Sequence, residues 1–190
     1  MLFGAGFMQA FTMTGGIDSW NGLKAAGPPE AGMAVFSDAE TLEECVGLAW
    51  ILEEGSRKFY ADIPGMLKDA EAAELFDNLA HAEEEHKKTL LLLYQEIAGA
   101  GLAAGFLARS GSEDLMEGGT RVSEALSWAR GKDAAALLRF SISLETNAYD
   151  LYLKMIRRAG DERSARIFKA LADEEKEHLD KMGRLLDQRV

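Results

Sequence analysis

A single cysteine, Cys45, stands in a chain of 190 residues. It excludes an internal disulfide framework and any metal site built on several thiolates. Cys45 falls inside a helical pattern and reads as a small buried hydrophobe. Histidine and proline are also scarce, at three residues each. No apolar stretch approaches the roughly 20 residues that a membrane-spanning helix needs, so no membrane partner is expected. Bases are few relative to acids: 21 Lys and Arg against 32 Asp and Glu give a formal charge of −11. Such a surface repels phosphate backbones, which excludes nucleic acid as an expected partner. No positively charged segment precedes the first apolar residues, so no secretory signal is read and cytoplasmic residence is the expectation.

What is present divides the chain in two. Residues 1–32 hold seven of the glycines and two of the three prolines, with few charges. That spacing suits short elements, with a strand near 10–13 and a helical turn near 17–21. From residue 37 onward the pattern is helical. Ser37 and Glu40 have capping-box spacing, which predicts a helix from about Asp38. Pro64 and Gly65 end it. Asp69 caps a second helix that runs to about Ala98. A Gly- and Ala-rich crossover follows, over 99–120, with one helical turn at most. A short helix over 123–130 is broken by Gly131. Asp133 caps a third long helix, which ends at Gly160, and the fourth spans 162–187. The predicted fold class is therefore all-α: a four-helix bundle of two αα-hairpins joined by a long crossover, behind a short irregular N-terminal extension.

The two hairpins repeat one another. Glu53 precedes Tyr60 by seven residues, and Glu145 precedes Tyr152 by seven. Glu83 follows Glu53 by 30 residues, and Glu175 follows Glu145 by 30. His86 and His178 each stand three residues beyond those second glutamates. Chemistry-bearing positions survive the repeat while neighbours drift: Glu54 becomes Thr146, Gly55 becomes Asn147 and Lys58 becomes Asp150. Apolar pairs such as Leu52/Leu144 and Leu79/Leu171 persist too.

Helical geometry gives the spacing a meaning. Residues three apart share a face, so Glu83 with His86, and Glu175 with His178, can each bind one ion. Seven residues make almost two turns, so each first glutamate shares a face with its tyrosine. All four glutamates fall near helix midpoints, which antiparallel packing brings to one level. Four buried carboxylates cannot all stay ionised alone, whereas two divalent cations balance them. Carboxylate and imidazole donors suit iron or manganese. Glu from two helices with Glu-x-x-His from the other two is the di-iron carboxylate pattern of helix bundles. The predicted metal ligands are Glu53, Glu83, His86, Glu145, Glu175 and His178, and Tyr60 and Tyr152 are expected to orient ligand carboxylates. One Glu-x-x-His is weak evidence on its own, because Glu-rich helix faces are commonly solvated. Two copies in register are much stronger. His81 has no counterpart and reads as a surface residue or one behind the ligands. Glu54, Glu84, Glu85, Glu174 and Glu177 read as solvated, and Trp50 and Trp128 as packing residues.

At these positions the chain resembles the rubrerythrin group of the ferritin-like superfamily, over residues 37–190. The resemblance rests on Leu52-Glu53-Glu54-Gly55 with Phe59-Tyr60, on both Glu-x-x-His motifs and on the segment from Leu144-Glu145 to Tyr152. It implies two iron ions and reduction of peroxide or dioxygen. Rubrerythrins usually receive electrons through a four-cysteine rubredoxin domain. That motif is missing here, so the resemblance implies an external electron donor. The extra glutamate that rubrerythrins carry three residues after the third-helix ligand is Ala148 in this chain. Ala5-Gly6-Phe7 and the segment from Met13 to Trp20 resemble the C-terminal end of a rhodanese domain. Residues 1–32 are accordingly expected to be a truncated remnant without sulfurtransferase activity. A homodimeric oxidoreductase is the expected assembly and activity. A non-catalytic iron-handling protein and a metal-free helical interaction module are the competing readings.

Overall fold

The computed structural model describes residues 41–103 and 113–189. Five α-helices lie wholly within those residues: α1 (Leu42–Asp62), α2 (Ala70–Ala98), α3 (Val122–Ala129), α4 (Ala134–Arg158) and α5 (Glu162–Asp187). Among the described residues there is no strand, only one bridge between Met116 and Thr120. α1 pairs with α2 and α4 with α5, which makes two hairpins, while short α3 packs on α1. The strand and turn expected near 10–21, and the rhodanese-like segment, lie outside the described residues.

Local chemistry sets the helix boundaries. Thr41 Oγ1 accepts from Glu44 N at 3.2 Å, and Glu44 Oε2 accepts from Thr41 N at 3.0 Å, a reciprocal capping box. α1 therefore starts one turn after the predicted Asp38. The competing pair Ser37 and Glu40 lies outside the described residues. Asp69, Asp133 and Asp161 cap α2, α4 and α5 by accepting from Ala72 N, Ala136 N and Ser164 N. Pro64 opens a single 3-10 turn after α1. Gly131, at φ 76°, separates α3 from α4 in the left-handed region that glycine tolerates. Gly160 plays no such part. α4 stops where Ala159 turns extended, at φ −58° and ψ 123°, and Gly160 does not take a positive φ.

Packing places the polar layer. One apolar cluster collects Val46, Ala49 and Leu52 of α1, Leu90 and Leu93 of α2, Leu151 and Met155 of α4, and Phe168 and Leu171 of α5. A second collects Phe59 and Ile63, Phe76 and Leu79, Leu137 and Leu144, and Met182 and Leu185 from the same four helices. On every helix the gap between the clusters holds the predicted ligands: Glu53, then Glu83 and His86, then Glu145, then Glu175 and His178. Close-packed hydrocarbon on both sides excludes water from that layer.

Candidate metal centre

All six predicted ligands are buried, none more than 6 % exposed. They form two overlapping quartets. Glu53, Glu83, His86 and Glu175 bring one donor atom each within 4.8 Å of one another, and so do Glu83, Glu145, Glu175 and His178. Glu83 and Glu175 belong to both groups. Glu53 with His86 stands at one end and Glu145 with His178 at the other. This is the arrangement that two cations sharing two bridging carboxylates would need.

Both imidazoles turn Nδ1 toward the acids. His86 Nδ1 lies 3.0 Å from Glu175 Oε1, 3.1 Å from Glu83 Oε2 and 3.6 Å from Glu53 Oε2. His178 Nδ1 lies 3.2 Å from Glu145 Oε2 and 3.3 Å from Glu175 Oε2. The rings stack with centroids 5.7 Å apart. Glu175 Oε1, although close to His86, has no hydrogen bond of good geometry and is fully buried. An orphaned carboxylate oxygen among converging donors fits a cation.

The tyrosines cross between hairpins. Tyr60, on α1, donates to Glu145 Oε1 on α4 at 2.5 Å. Tyr152, on α4, donates to Glu53 Oε1 on α1. Burial foremost, then the neighbouring carboxylates, holds both phenols well above their usual range, so each remains a donor.

Proton affinities follow the same symmetry. Burial, and then the charge of Glu53, pushes Glu83 well above the usual carboxylate range. Burial, and then Glu145, pushes Glu175 up to about 8. Burial opposes ionisation of Glu53 as well. Its bonds to Glu83, His86 and Tyr152 outweigh that and hold it low. Glu145 falls to about 2 because Glu175, His178 and Tyr60 outweigh burial. Burial would likewise lower both imidazoles. The surrounding acids overrule it, holding His86 well above its ordinary value and His178 at about 9. Without cations the layer is neutralised by protons, on ligands that a metal would strip of them.

One acid differs from the sequence reading, and two more add to it. Glu54 is buried rather than solvated: Arg57 donates to both its oxygens, at 2.9 and 3.0 Å, and Lys87 Nζ lies 2.5 Å away. Glu174 keeps an exposed side chain yet meets His86 Nε2 at 3.1 Å. Glu117, in the crossover, was not expected at the site. It is 4 % exposed and feels the charges of Glu53, Glu145 and Glu175. The one signal for it in the sequence is the Gly118-Gly119 pair that follows, the mark of a tight turn. His81 is a surface residue whose ring nitrogen meets Asp77 O.

Residues 136–190 match the rubrerythrin family model. The rubrerythrin match covers α5 and nearly all of α4, and so takes in Glu145, Glu175 and His178. The first hairpin supplies Glu53, Glu83 and His86 at repeat-related places. The fold is that of a ferritin-like helical bundle. A solved structure of a hypothetical protein from Pyrococcus furiosus aligns with a TM-score of 0.60 and 22% identity, covering 80% of this chain and 93% of that one. At that identity the likeness shows the fold alone. No curated protein matches the chain. Among the described residues no helix is long and apolar enough to cross a membrane.

Proposed function

We propose that the protein is a non-haem di-iron oxidoreductase that reduces hydrogen peroxide or dioxygen. The observation that carries this reading is the pair of buried quartets sharing Glu83 and Glu175. Glu53 and His86 would hold one ion, Glu145 and His178 the other, and Glu83 and Glu175 both. When bound, the two irons supply the electrons that cleave an O–O bond.

The chain's own residues prepare that chemistry. The four carboxylates of the two quartets would offset the charge of two divalent ions in a layer walled by apolar side chains. Tyr60 and Tyr152 each hold a glutamate of the opposite hairpin through one oxygen, which fixes where the other oxygen points. Glu174 accepts from His86 Nε2 and reaches solvent, fixing that ring with Nδ1 inward. The apolar clusters on either side keep bulk water from the layer. With a single cysteine, the chain needs an external electron donor.

Anaerobic loading with ferrous iron tests the site; we expect two irons per chain, and a stoichiometry near zero sinks the reading. Loaded protein is then mixed with hydrogen peroxide or with air. Fast oxidation by peroxide and slow oxidation by air marks a peroxidase. Indifference to both leaves iron binding without this activity. Chromatographic size separates the homodimer we propose from a storage cage.

A further inference from the structure

We propose that Glu117 is a fifth carboxylate of the metal centre, delivered by the crossover rather than by any of the four long helices. The inference rests on the di-metal reading above and adds to it a hard oxygen donor for a divalent cation.

Glu117 is buried, and its Oε2 has no hydrogen-bond partner. Among the described residues no lysine, arginine or histidine pairs with it. After burial, the charges that act most strongly on it are those of the acids Glu53, Glu145 and Glu175. An acid buried among acids is costly in an apolar layer unless something positive meets it. Packing alone would be served as well by an amide of the same shape. Its oxygens belong to neither quartet, so it would add a donor from the side of the crossover rather than replace one of the six.

The backbone around Glu117 is built for close approach. Met116 N donates to Thr120 O at 3.0 Å and Gly119 N to Met116 O at 3.1 Å, which closes a tight turn. Gly118 and Gly119 take φ values of 72° and 70°. The turn is wedged between repeat-related positions of the two hairpins. On α1, a Cβ at Gly55 would stand 2.0 Å from Leu115 O. On α4, Asn147 Nδ2 would stand 2.9 Å from a Cβ at Gly118. Gly55 and Asn147 occupy the same place in the two halves of the repeat, each two residues beyond its ligand glutamate. The crossover is thus seated against both hairpins beside Glu53 and Glu145, and Glu117 is its buried acid, while Glu113 is exposed and Asp114 half-buried. The turn that carries Glu117 touches both α1 and α4, which sets it between the hairpins.

The test compares parent protein with Glu117→Gln, reading metal affinity and metal-free stability separately. Cobalt(II) titrated anaerobically into metal-free protein, followed by calorimetry, is the probe. Loss of a metal-directed acid should weaken cobalt binding about 10-fold or more. The same change should leave the metal-free protein at least as stable in thermal melts, because it removes an unpaired buried acid. Cobalt affinity within twofold of the parent overturns the proposal and leaves the di-metal reading intact. A parent that binds no cobalt overturns both. If Glu117→Gln does not fold, Glu117→Asp keeps the charge but withdraws it by one methylene. Weaker cobalt binding in that variant supports the assignment, and unchanged binding overturns it.

Discussion

Glu174 Oε2 lies 3.1 Å from His86 Nε2, while Nδ1 of the same ring faces Glu53, Glu83 and Glu175. The histidine is held from both of its nitrogens, with one side for the cluster and the other for a solvent-facing carboxylate. The repeat does not reproduce this: the position matching Glu174 in the first hairpin is Ala82. Carboxylates behind a ligating imidazole set its tautomer and raise its basicity. The two halves of the centre are therefore chemically unequal. Glu174→Ala should weaken the metal at the His86 end about 10-fold and leave the His178 end unchanged. A metal titration of the variant should then resolve two classes of site. Equal weakening of both sites, or of neither, would refute the asymmetry.

Acidity gives a second prediction. Glu175 holds its proton to about 8 and His178 to about 9 in the metal-free fold, against ordinary values of 4.5 and 6.5. For Glu175, folded protein binds more protons than unfolded chain between those limits, so stability falls as pH rises from about 4.5 to about 8. His178 contributes stability that is complete below about 6.5 and lost as pH rises through about 9. Both slopes point the same way. Glu145, held at about 2, adds stability that disappears only on strong acidification. Metal-free protein should melt at its highest temperature in mildly acidic buffer and lose stability steadily toward pH 9. Cation binding must displace the same protons, so metal affinity should rise over that range. A melting temperature that climbs between pH 6 and pH 9 without metal would contradict the assignment.

Helix boundaries and the clustered acids and histidines are legible in the sequence to different depths. Asp69 and Asp133 announce α2 and α4 because a side-chain cap needs only neighbours in the chain. The start of α1 was misplaced because Ser37/Glu40 and Thr41/Glu44 carry the same capping signature one turn apart. The six residues of the two quartets stood out because the repeat conserves them while Glu54 and Gly55 drift. Glu54 reads as solvated from the sequence because its partner Lys87 is on another helix, and only the docking of α1 on α2 brings them together. Glu117 left almost no trace, since an aperiodic crossover has no face from which inward and outward can be told. Its placement depends on Gly55, whose importance lies in a contact 60 residues away in sequence.

The crossed tyrosines should couple the hairpins energetically. Tyr60→Phe removes the donor to Glu145, and Tyr152→Phe removes the donor to Glu53. Each leaves a buried carboxylate with one bond fewer. Hydrogen bonds to charged groups contribute about 1.5–3 kcal/mol, and either variant should lose that much stability in urea unfolding of the metal-free protein. Because each phenol holds a glutamate of the other hairpin, the two losses should be similar in size. A loss confined to Tyr60→Phe would show that the halves are not held symmetrically.

Two glycines in helices offer a contrast that isolates the crossover. Gly183 in α5 has nothing within 4 Å of an added Cβ, whereas at Gly55 in α1 that atom would meet Leu115 O at 2.0 Å. Gly183→Ala should stabilise by about 0.5–1 kcal/mol, as alanine does in an open helical site. Gly55→Ala gains the same helical preference but must push the crossover backbone away. Overpacking of this kind costs about 1–3 kcal/mol, so the net effect should be destabilising. The displaced segment carries Glu117, so the Gly55 variant should also bind cobalt(II) more weakly than parent, while Gly183→Ala should bind it equally well. Thermal melts and calorimetric titration of the two variants check both halves. If Gly55→Ala were as stable as Gly183→Ala, the crossover would not be seated against α1 as described.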